Sequence, residues 1–321
     1  MEGWGPGCRS RIGILTKVFT PELVDAAVAK HGRGELRRRL LPARLVVYFV
    51  LGLCLFARES YEEVIRMLTS GIPGSRALAR VNRSSLCRAR VRLGEELLET
   101  VFRQVAGPLA VPETPGAWWR GLRLLALDGT QFDVPDSVGN GDTFDGPSTG
   151  GTPFGFPQVR AAVLAEIGTH AILDAGPGGP LRSRTPKAVR QELWALLAVH
   201  QAVSRFAHDA AASGPVLDAD RLSYLRCVRI ARRSVPSQHG TSRRTLTSAW
   251  KEAIQEARSR LLPPRSGRDR PRAIKKPMRW PILRARSGRS KVAPGRWAHN
   301  QTTKQRKHRG AGKPVPRAQP P

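Results

Sequence analysis

Three short apolar runs in the middle of the chain constrain its fold most, because each has the length of a β-strand. Leu124 to Leu127 leads directly into Asp128, while Val159 to Ala165 and His170 to Leu173 lie between turn-forming residues. Apolar runs of this length, bounded by turn-forming residues, are typical of strands, and an uninterrupted run indicates a buried strand. The chain is therefore expected to contain a sheet whose first strand is buried and ends at Asp128.

Asp128 is the first candidate for chemistry. Gly129 and Thr130 follow it and predict a turn, so the carboxylate would lie at the open end of a rigid strand. An oxygen ligand in that position is well placed to bind a divalent metal ion. The alternative is that Asp128 only caps a turn, as many Asp-Gly pairs do, and the residues alone leave both interpretations open.

Helical patterns precede these strands. Within residues 14–107, Pro21 and Pro42 mark two helix starts, and a later helix is basic in its first half. A basic helix after a Gly/Pro turn is compatible with a DNA-reading helical domain; the alternative is an ordinary helical bundle with a solvated arginine face. The candidate DNA contacts on this helix are Arg83, Arg88, Arg90 and Arg92.

Positive charge dominates the composition and is concentrated at the C-terminal end. The chain of 321 residues has 54 Lys and Arg against 25 Asp and Glu, a net charge of +29. Residues 263–321 contain 18 of these cations and one acid, Asp269. Such a composition cannot bury a core, so we predict a disordered tail that is attracted to nucleic-acid phosphates, with Lys275 and Lys276 as candidate DNA contacts.

Other features favour a reduced, cytoplasmic chain. The four cysteines have neither the spacing of a zinc site nor that of a disulfide framework. The most apolar segment, Leu45 to Ala57, is too short to span a bilayer, and the N-terminus lacks the pattern of a signal peptide. We expect no contact with a membrane.

Several segments, taken in order, resemble the IS-four-type transposases of actinobacteria. The resemblance extends over most of residues 11–262 and is most specific in LALDGT, residues 125–130, and FPQVR, residues 156–160. It implies an N-terminal helical domain followed by a ribonuclease H-like domain, in which two Asp and one Glu bind divalent metals, magnesium or manganese, for cutting and joining element ends. By position, the first of these catalytic residues corresponds to Asp128.

The sequence departs from the family where the other two catalytic residues are expected. The family's second Asp and its Glu lie in a long segment, but only six residues, Ala175 to Pro180, separate the flanking matches here. The chain therefore resembles an internally deleted transposase. Two-metal phosphoryl transfer needs several converging carboxylates, and a single Asp does not suffice.

Two other acids are candidate substitutes for the missing ones. Asp174 ends the third strand, and Glu192 lies on the helix that follows. The alternative for Glu192 is an ion pair with Arg190 or a neighbouring Lys on a solvated helix face.

The expected fold is α+β and mostly helical. A sheet that has lost its later strands should expose one edge and one apolar face. The expected order is a disordered N-terminus (1–13), a helical transposase N-terminal domain (14–107), a linker (108–121), a truncated ribonuclease H-like α/β domain (122–262) and the disordered basic tail (263–321).

Three functions are compatible with the sequence. The first is a transposase-like protein that binds DNA, including the ends of an insertion element, but is catalytically defective. The second is an active metal-dependent transposase with a rearranged carboxylate site. The third is a non-enzymatic competitor of the full-length transposase. DNA is the partner in every case, and a second copy of the chain or a full-length transposase is the candidate protein partner.

Overall fold

The computed structural model describes residues 11–34, 40–70, 78, 81–144, 146–149, 152–153, 155–175, 183–215, 217–237 and 243–263. These residues fall within one compact unit. In chain order the helices are α1 (Pro21–Lys30), α2 (Ala43–Leu55), α3 (Tyr61–Thr69), α4 (Arg83–Leu93), α5 (Glu96–Val105), α6 (Val138–Thr143), α7 (Pro186–Ala212), α8 (Tyr224–Ser237) and α9 (Arg243–Arg258), and short 3-10 helices cover Gly13–Lys17 and Ala219–Arg221.

The strands lie between α5 and α7. They are β1 (Trp118–Trp119), β2 (Leu122–Arg123), β3 (Leu125–Asp133), β4 (Ser148–Thr149), β5 (Thr152–Pro153), β6 (Gln158–Glu166) and β7 (Ile172–Ala175). Helices supply most of the described secondary structure, which confirms the predicted mostly helical α+β class. No helix in the described part of the chain is both long and apolar enough to cross a bilayer.

Local sequence signals account for the first helix starts. Pro21 occupies the first turn of α1, and the side chain of Thr20 caps it by accepting a hydrogen bond from the Leu23 N–H. Ser60 caps α3 in the same way, by accepting from the Glu63 N–H at 3.1 Å. Proline at the first helical position and a hydroxyl at the cap are both favoured because the first turn has unpaired N–H groups.

The start of the described chain is ordered, whereas the sequence predicted disorder for residues 1–13. Ile12 is fully buried, and the Ile14 N–H donates to Ser234 Oγ on α8 at 2.9 Å. The prediction is wrong for residues 11–13, because two isolated apolar side chains form no periodic pattern and their partner lies far along the chain. Residues 1–10 are outside the described residues, as are 264–321, which contain most of the predicted basic tail.

One hydrophobic core connects the helices before and after the predicted linker. Helix α2 is buried on nearly every side, and the 27-residue α7 packs against both α2 and α5. At the contact with α5, the rings of Phe102 and Trp194 stack with their centroids 5.4 Å apart. The domain boundaries at 107 and 121 stay a prediction, but the described residues on both sides of them share this core.

The main sheet is antiparallel, with the strand order β3-β6-β7. Its register places Asp128 opposite Val163, and Val163 opposite Ala175. Cross-strand partners share a face of the sheet. The face that carries Val159, Ala161 and Ala175 is buried, and Val159 and Ala175 join the core that contains α7.

Strand β3 differs from its prediction in length and burial. It extends five residues beyond Asp128, to Asp133, and Gly129 and Thr130 pair with β6 instead of turning the chain. Leu127 is 76% exposed, so the strand is not buried. The reason is that β3 is an edge strand: among the described residues only β6 pairs with it. An exposed edge and an exposed apolar face are what is expected of a sheet without later strands.

A buried carboxylate anchors the linker to this sheet. Glu166, at the end of β6, is 1% exposed and accepts hydrogen bonds from the backbone N–H groups of Leu109 (3.0 Å) and Ala110 (2.8 Å). The Thr169 hydroxyl and the Arg123 guanidinium also donate to it. Hydrogen bonds to a buried carboxylate are strong, because the charge has no water to bind instead. The Glu166 side chain therefore fixes the linker against the β6–β7 turn.

We therefore expect Glu166→Gln to destabilise the fold. The amide keeps the shape of the side chain but loses the charge and must aim its NH₂ group at donors, at a cost of about 2 kcal/mol. Chemical denaturation of both proteins would measure this loss as a lower free energy of unfolding. Glu113→Gln, at an exposed position in the same linker, is the matched control and should leave the free energy of unfolding unchanged.

Candidate functional site

Asp128 lies in the middle of β3 and is exposed to solvent. Its Oδ1 accepts a hydrogen bond from the N–H of the next residue, Gly129, at 2.8 Å. Its side chain shares a face of the sheet with Val163 and Ala175, which are both apolar. The position that the sequence singled out for metal binding is therefore accessible but has apolar cross-strand neighbours.

Asp174 cannot complete a carboxylate pair with Asp128 across this sheet. It pairs with Leu164, which in turn pairs with Leu127, so its side chain lies on the face opposite to that of Asp128. The two strands are also separated by β6, which places them about 9.6 Å apart. Asp174 therefore does not lie beside Asp128 as a substitute ligand, because the two positions differ by one residue in register and side chains alternate between the faces of the sheet.

Asp174 is instead paired with an arginine of α5. Arg103 Nη1 lies 3.1 Å from its Oδ1, and the same guanidinium donates to Glu99 at 2.9 Å. The hydrogen bond with Glu99, with a smaller contribution from Asp174, raises the pKa of Arg103. The geometry therefore assigns Asp174 to a surface ion-pair network at the end of β7.

Glu192, the second substitute candidate, is buried between α7 and α4. Its Oε1 accepts from Arg90 Nη1 at 3.0 Å and from Ser183 Oγ at 2.7 Å. The side chains of Glu192 and Arg90 are only 5% and 4% exposed. The sequence predicted that Glu192 would pair with Arg190 or a neighbouring Lys on a solvated helix face, and this prediction is wrong. Arg190 pairs with Glu95 instead, at 3.4 Å.

The same contact removes Arg90 from the set of candidate DNA contacts. Its guanidinium also donates to the Gln191 side chain at 2.9 Å, to the Tyr61 hydroxyl at 2.5 Å and to the Ala188 carbonyl at 3.2 Å. A guanidinium surrounded by protein acceptors on all sides has no donor left for a phosphate. Arg90 is a structural residue, and its prediction as a DNA contact is wrong.

The other three arginines of α4 are exposed to solvent. Leu86, Ala89, Arg90 and Leu93 form the buried stripe of this helix, and Arg88 and Arg92, four residues apart, lie on the opposite face. Arg83 is exposed at the first turn, on the same side of the helix as Arg90. Arg83 lies over the Tyr61 ring, 5.1 Å from its centroid. We call Arg83, Arg88 and Arg92 the α4 stripe. Lys275 and Lys276 are outside the described residues.

A depression separates the α4 stripe from the start of α7. It has a volume of about 280 Å³ and is lined by Val91 and Gly94 on one side and by Pro186, Lys187 and Ala188 on the other. Two exposed cations, Arg184 and Lys187, lie at this end of α7. Neither cation was predicted from the sequence as a DNA contact, because the contact between α4 and α7 joins residues about a hundred positions apart.

The described carboxylates do not fit the two-metal site that the family resemblance implies. Among the residues for which the structure gives positions, no three His, Cys, Asp or Glu side chains come close enough to hold a metal ion. Asp128 has apolar neighbours, Asp174 is on the other face, and Glu192 is enclosed with Arg90. We therefore assign no reaction step to a metal at these residues.

Spacing within the helices could have identified the buried pair. Arg90 lies four residues after Leu86 and three before Leu93, which places it on the apolar stripe of α4. Glu192 likewise lies three residues after the buried Val189. A charged residue at a core position of each of two helices is a signal that the charges pair with one another.

The buried pair predicts a difference between two arginines of one helix. Arg90→Met should lower the free energy of unfolding by about 3 kcal/mol, because Glu192 would keep a buried charge without its cation. Arg88→Met, on the exposed side of α4, should change it by less than about 0.5 kcal/mol. Urea denaturation of the two variants measures both values, and equal stability would contradict the buried position of Arg90.

Comparison with known proteins relates the chain to transposases. Residues 9–103 match the family model for the insertion element 4 transposase N-terminal domain. The chain is similar to the transposase InsG for insertion sequence element IS4 of Escherichia coli strain K12, with 32% identity over 170 residues, 53% of this chain and 38% of that protein. It is also similar to the proposed transposase InsZ of the same strain, with 26% identity over 163 residues, 50% of this chain and 53% of that protein.

The chain thus spans about half the length, or less, of the curated relatives it matches. No solved structure matches it. Residues 9–103, which contain α1 to α4 and most of α5, match the IS4 transposase N-terminal domain, and the chain is similar to the transposases InsG and InsZ over about half of its length.

Proposed function

We propose that this chain is a transposase-type DNA-binding protein of an IS4 insertion sequence, and that it binds element ends without cutting them. The observation that carries the proposal is the α4 stripe, three exposed arginines within a transposase N-terminal domain. Arginine guanidinium groups donate forked hydrogen bonds to phosphate oxygens, so a group of exposed arginines suits a nucleic-acid backbone.

Net charge supports the same partner. A charge of +29 favours association with any polyanion, and this part of the affinity should fall steeply with salt. The same positive charge would also keep the chain bound to the nucleoid. The α4 stripe adds a fixed geometry to that general attraction, because the buried contact of Arg90 with Glu192 fixes α4 against α7.

The absence of cleavage is proposed on the positions of the carboxylates. Cutting and joining by two metal ions needs converging acids, and Asp128 shares its face of the sheet with Val163 and Ala175. We propose that β3, β6 and β7 correspond to the start of a ribonuclease H-like domain whose later strands were lost by internal deletion. A magnesium or manganese ion would be required only if carboxylates of other parts of the chain rebuilt the site.

A protein that binds element ends without cutting them would compete with an intact transposase for those ends. Such competition requires a surface that binds the ends, but it does not require catalysis. The catalytically defective transposase and the competitor therefore share one activity, binding to element ends. The active transposase is the alternative that experiment must distinguish from them.

The test of catalysis is a cleavage assay on plasmid DNA. Purified protein is incubated with a plasmid that carries the ends of the parent insertion element, in magnesium and then in manganese, beside the Asp128→Ala variant. We expect no end cleavage by either protein. End cleavage by the natural protein that disappears in Asp128→Ala would show an active enzyme and would contradict the proposal of defective catalysis.

The test of binding uses labelled duplexes. We expect the natural protein and Asp128→Ala to bind the element ends equally, in preference to a scrambled duplex of the same composition, because the α4 stripe and not the sheet makes the contact. Binding with no preference for the ends would reduce the interaction to the general effect of net charge, and absence of binding would contradict the proposed function altogether.

A further inference from the structure

We propose that the DNA-binding surface continues from the α4 stripe onto the start of α7, where Arg184 and Lys187 contact phosphates of the same duplex. This inference rests on the proposed DNA binding and extends it to a part of the chain outside the transposase N-terminal domain. The kind of partner is double-stranded DNA, recognised through its backbone.

The two groups of cations are neighbours across a single depression. Val91, which lies between Arg90 and Arg92 on α4, is 78% exposed and lines the same cavity as Lys187. Its two walls are close together, because Arg90 on one wall donates a hydrogen bond of 3.2 Å to the Ala188 carbonyl on the other. A duplex that lies along the α4 stripe would therefore meet Lys187 on the other side of this cavity.

Buried hydrogen bonds hold the two walls in a fixed relation. Arg90 donates to Ser183 Oγ and to the Ala188 carbonyl, each at 3.2 Å, and so ties α4 to the residues on either side of Arg184 and Lys187. In the reverse direction, the Gln191 amide donates to the Gly94 carbonyl at 2.7 Å. Cations on a rigid frame lose less conformational entropy when they bind a duplex than cations on a flexible segment do.

The charge of this surface is positive. Within the described residues, Arg88, Arg92, Arg184 and Lys187 form no ion pair. The nearby acids are largely neutralised: Glu192 pairs with Arg90, and Glu95 pairs with Arg190. The exposed acids on this side are Glu96, beside Gly94, and Asp136 and Asp142, which lie just before and within α6; the Ser137 hydroxyl next to Asp136 donates to the Arg184 carbonyl at 2.8 Å. Together with the exposed Arg33, which also lies beside Gly94, the four cations outnumber these described acids.

Salt dependence of binding tests the extension. The affinity of full-length protein for a 30-base-pair duplex is measured at several salt concentrations for the natural protein and for the double variant Arg184→Gln/Lys187→Gln. Each lost phosphate contact should lower the slope of log affinity against log salt by about 0.9, so the double variant should lose nearly two units of slope. At low salt its affinity should fall by about tenfold or more.

The matched control removes the same charge from another part of the molecule. Arg244 and Lys251 are exposed on α9, which packs through Trp250 against Phe206 of α7, 5.1 Å between ring centroids. Phe206 is 19 residues from Lys187, or about 28 Å along the helix. Arg244→Gln/Lys251→Gln should change the slope much less, and an equal change in both double variants would overturn the extension.

A second variant separates this inference from the proposed function. Arg88→Gln/Arg92→Gln removes two members of the α4 stripe. Loss of slope in that variant, with no loss in Arg184→Gln/Lys187→Gln, would leave DNA binding in place and overturn the extension to α7. Absence of DNA binding by the natural protein would overturn the proposed function itself.

Protection from chemical modification gives a readout that net charge alone would not change. Lysines of the free protein and of its DNA complex are acetylated briefly, and the product is analysed by mass spectrometry. We expect bound duplex to slow the acetylation of Lys187 several-fold relative to that of Lys251. Equal rates at Lys187 with and without DNA would contradict a phosphate contact there.

Discussion

The buried ion pair of Arg90 and Glu192 is the interaction on which the arrangement of the described helices depends. It joins α4, inside the region that matches the transposase N-terminal domain, to α7, which follows the sheet. Two charges removed from water are retained only when their remaining donors and acceptors are also satisfied, and Tyr61, Ser183 and Gln191 do this. The consequence is that the exposed arginines of α4 have a fixed position relative to the start of α7.

The sheet differs from this enclosed contact, because its functional candidate is open to solvent. Asp128 is exposed on an edge strand, and neither Asp174 nor Glu192 is placed to join it. Phosphoryl transfer by metal ions demands acids held at fixed, short separations, whereas phosphate binding demands only exposed cations. The described residues satisfy the second requirement, and this difference is why binding without cutting is the proposed function.

Local patterns predicted the elements well and their surroundings poorly. Pro21 and Pro42 marked helix starts because the first turn of a helix depends on a few adjacent residues, and the strand at Val159 followed from a short apolar run. The burial of β3, the face of Asp174 and the partner of Glu192 depend on strand order, register and contacts across about a hundred residues. None of these depends on adjacent residues alone, although the apolar spacing around Arg90 does indicate that this arginine is buried.

The contact between the first and last described parts of the chain bears on how the molecule folds during synthesis. The backbone of Ile14 is bonded to Ser234, 220 residues later, and Ile12 is fully buried. The ribosome delivers Ile12 and Ile14 long before Ser234, so their partner on α8 exists only after 220 further residues have been made. These two apolar side chains therefore dock late and stay exposed to solvent until α8 has been synthesised.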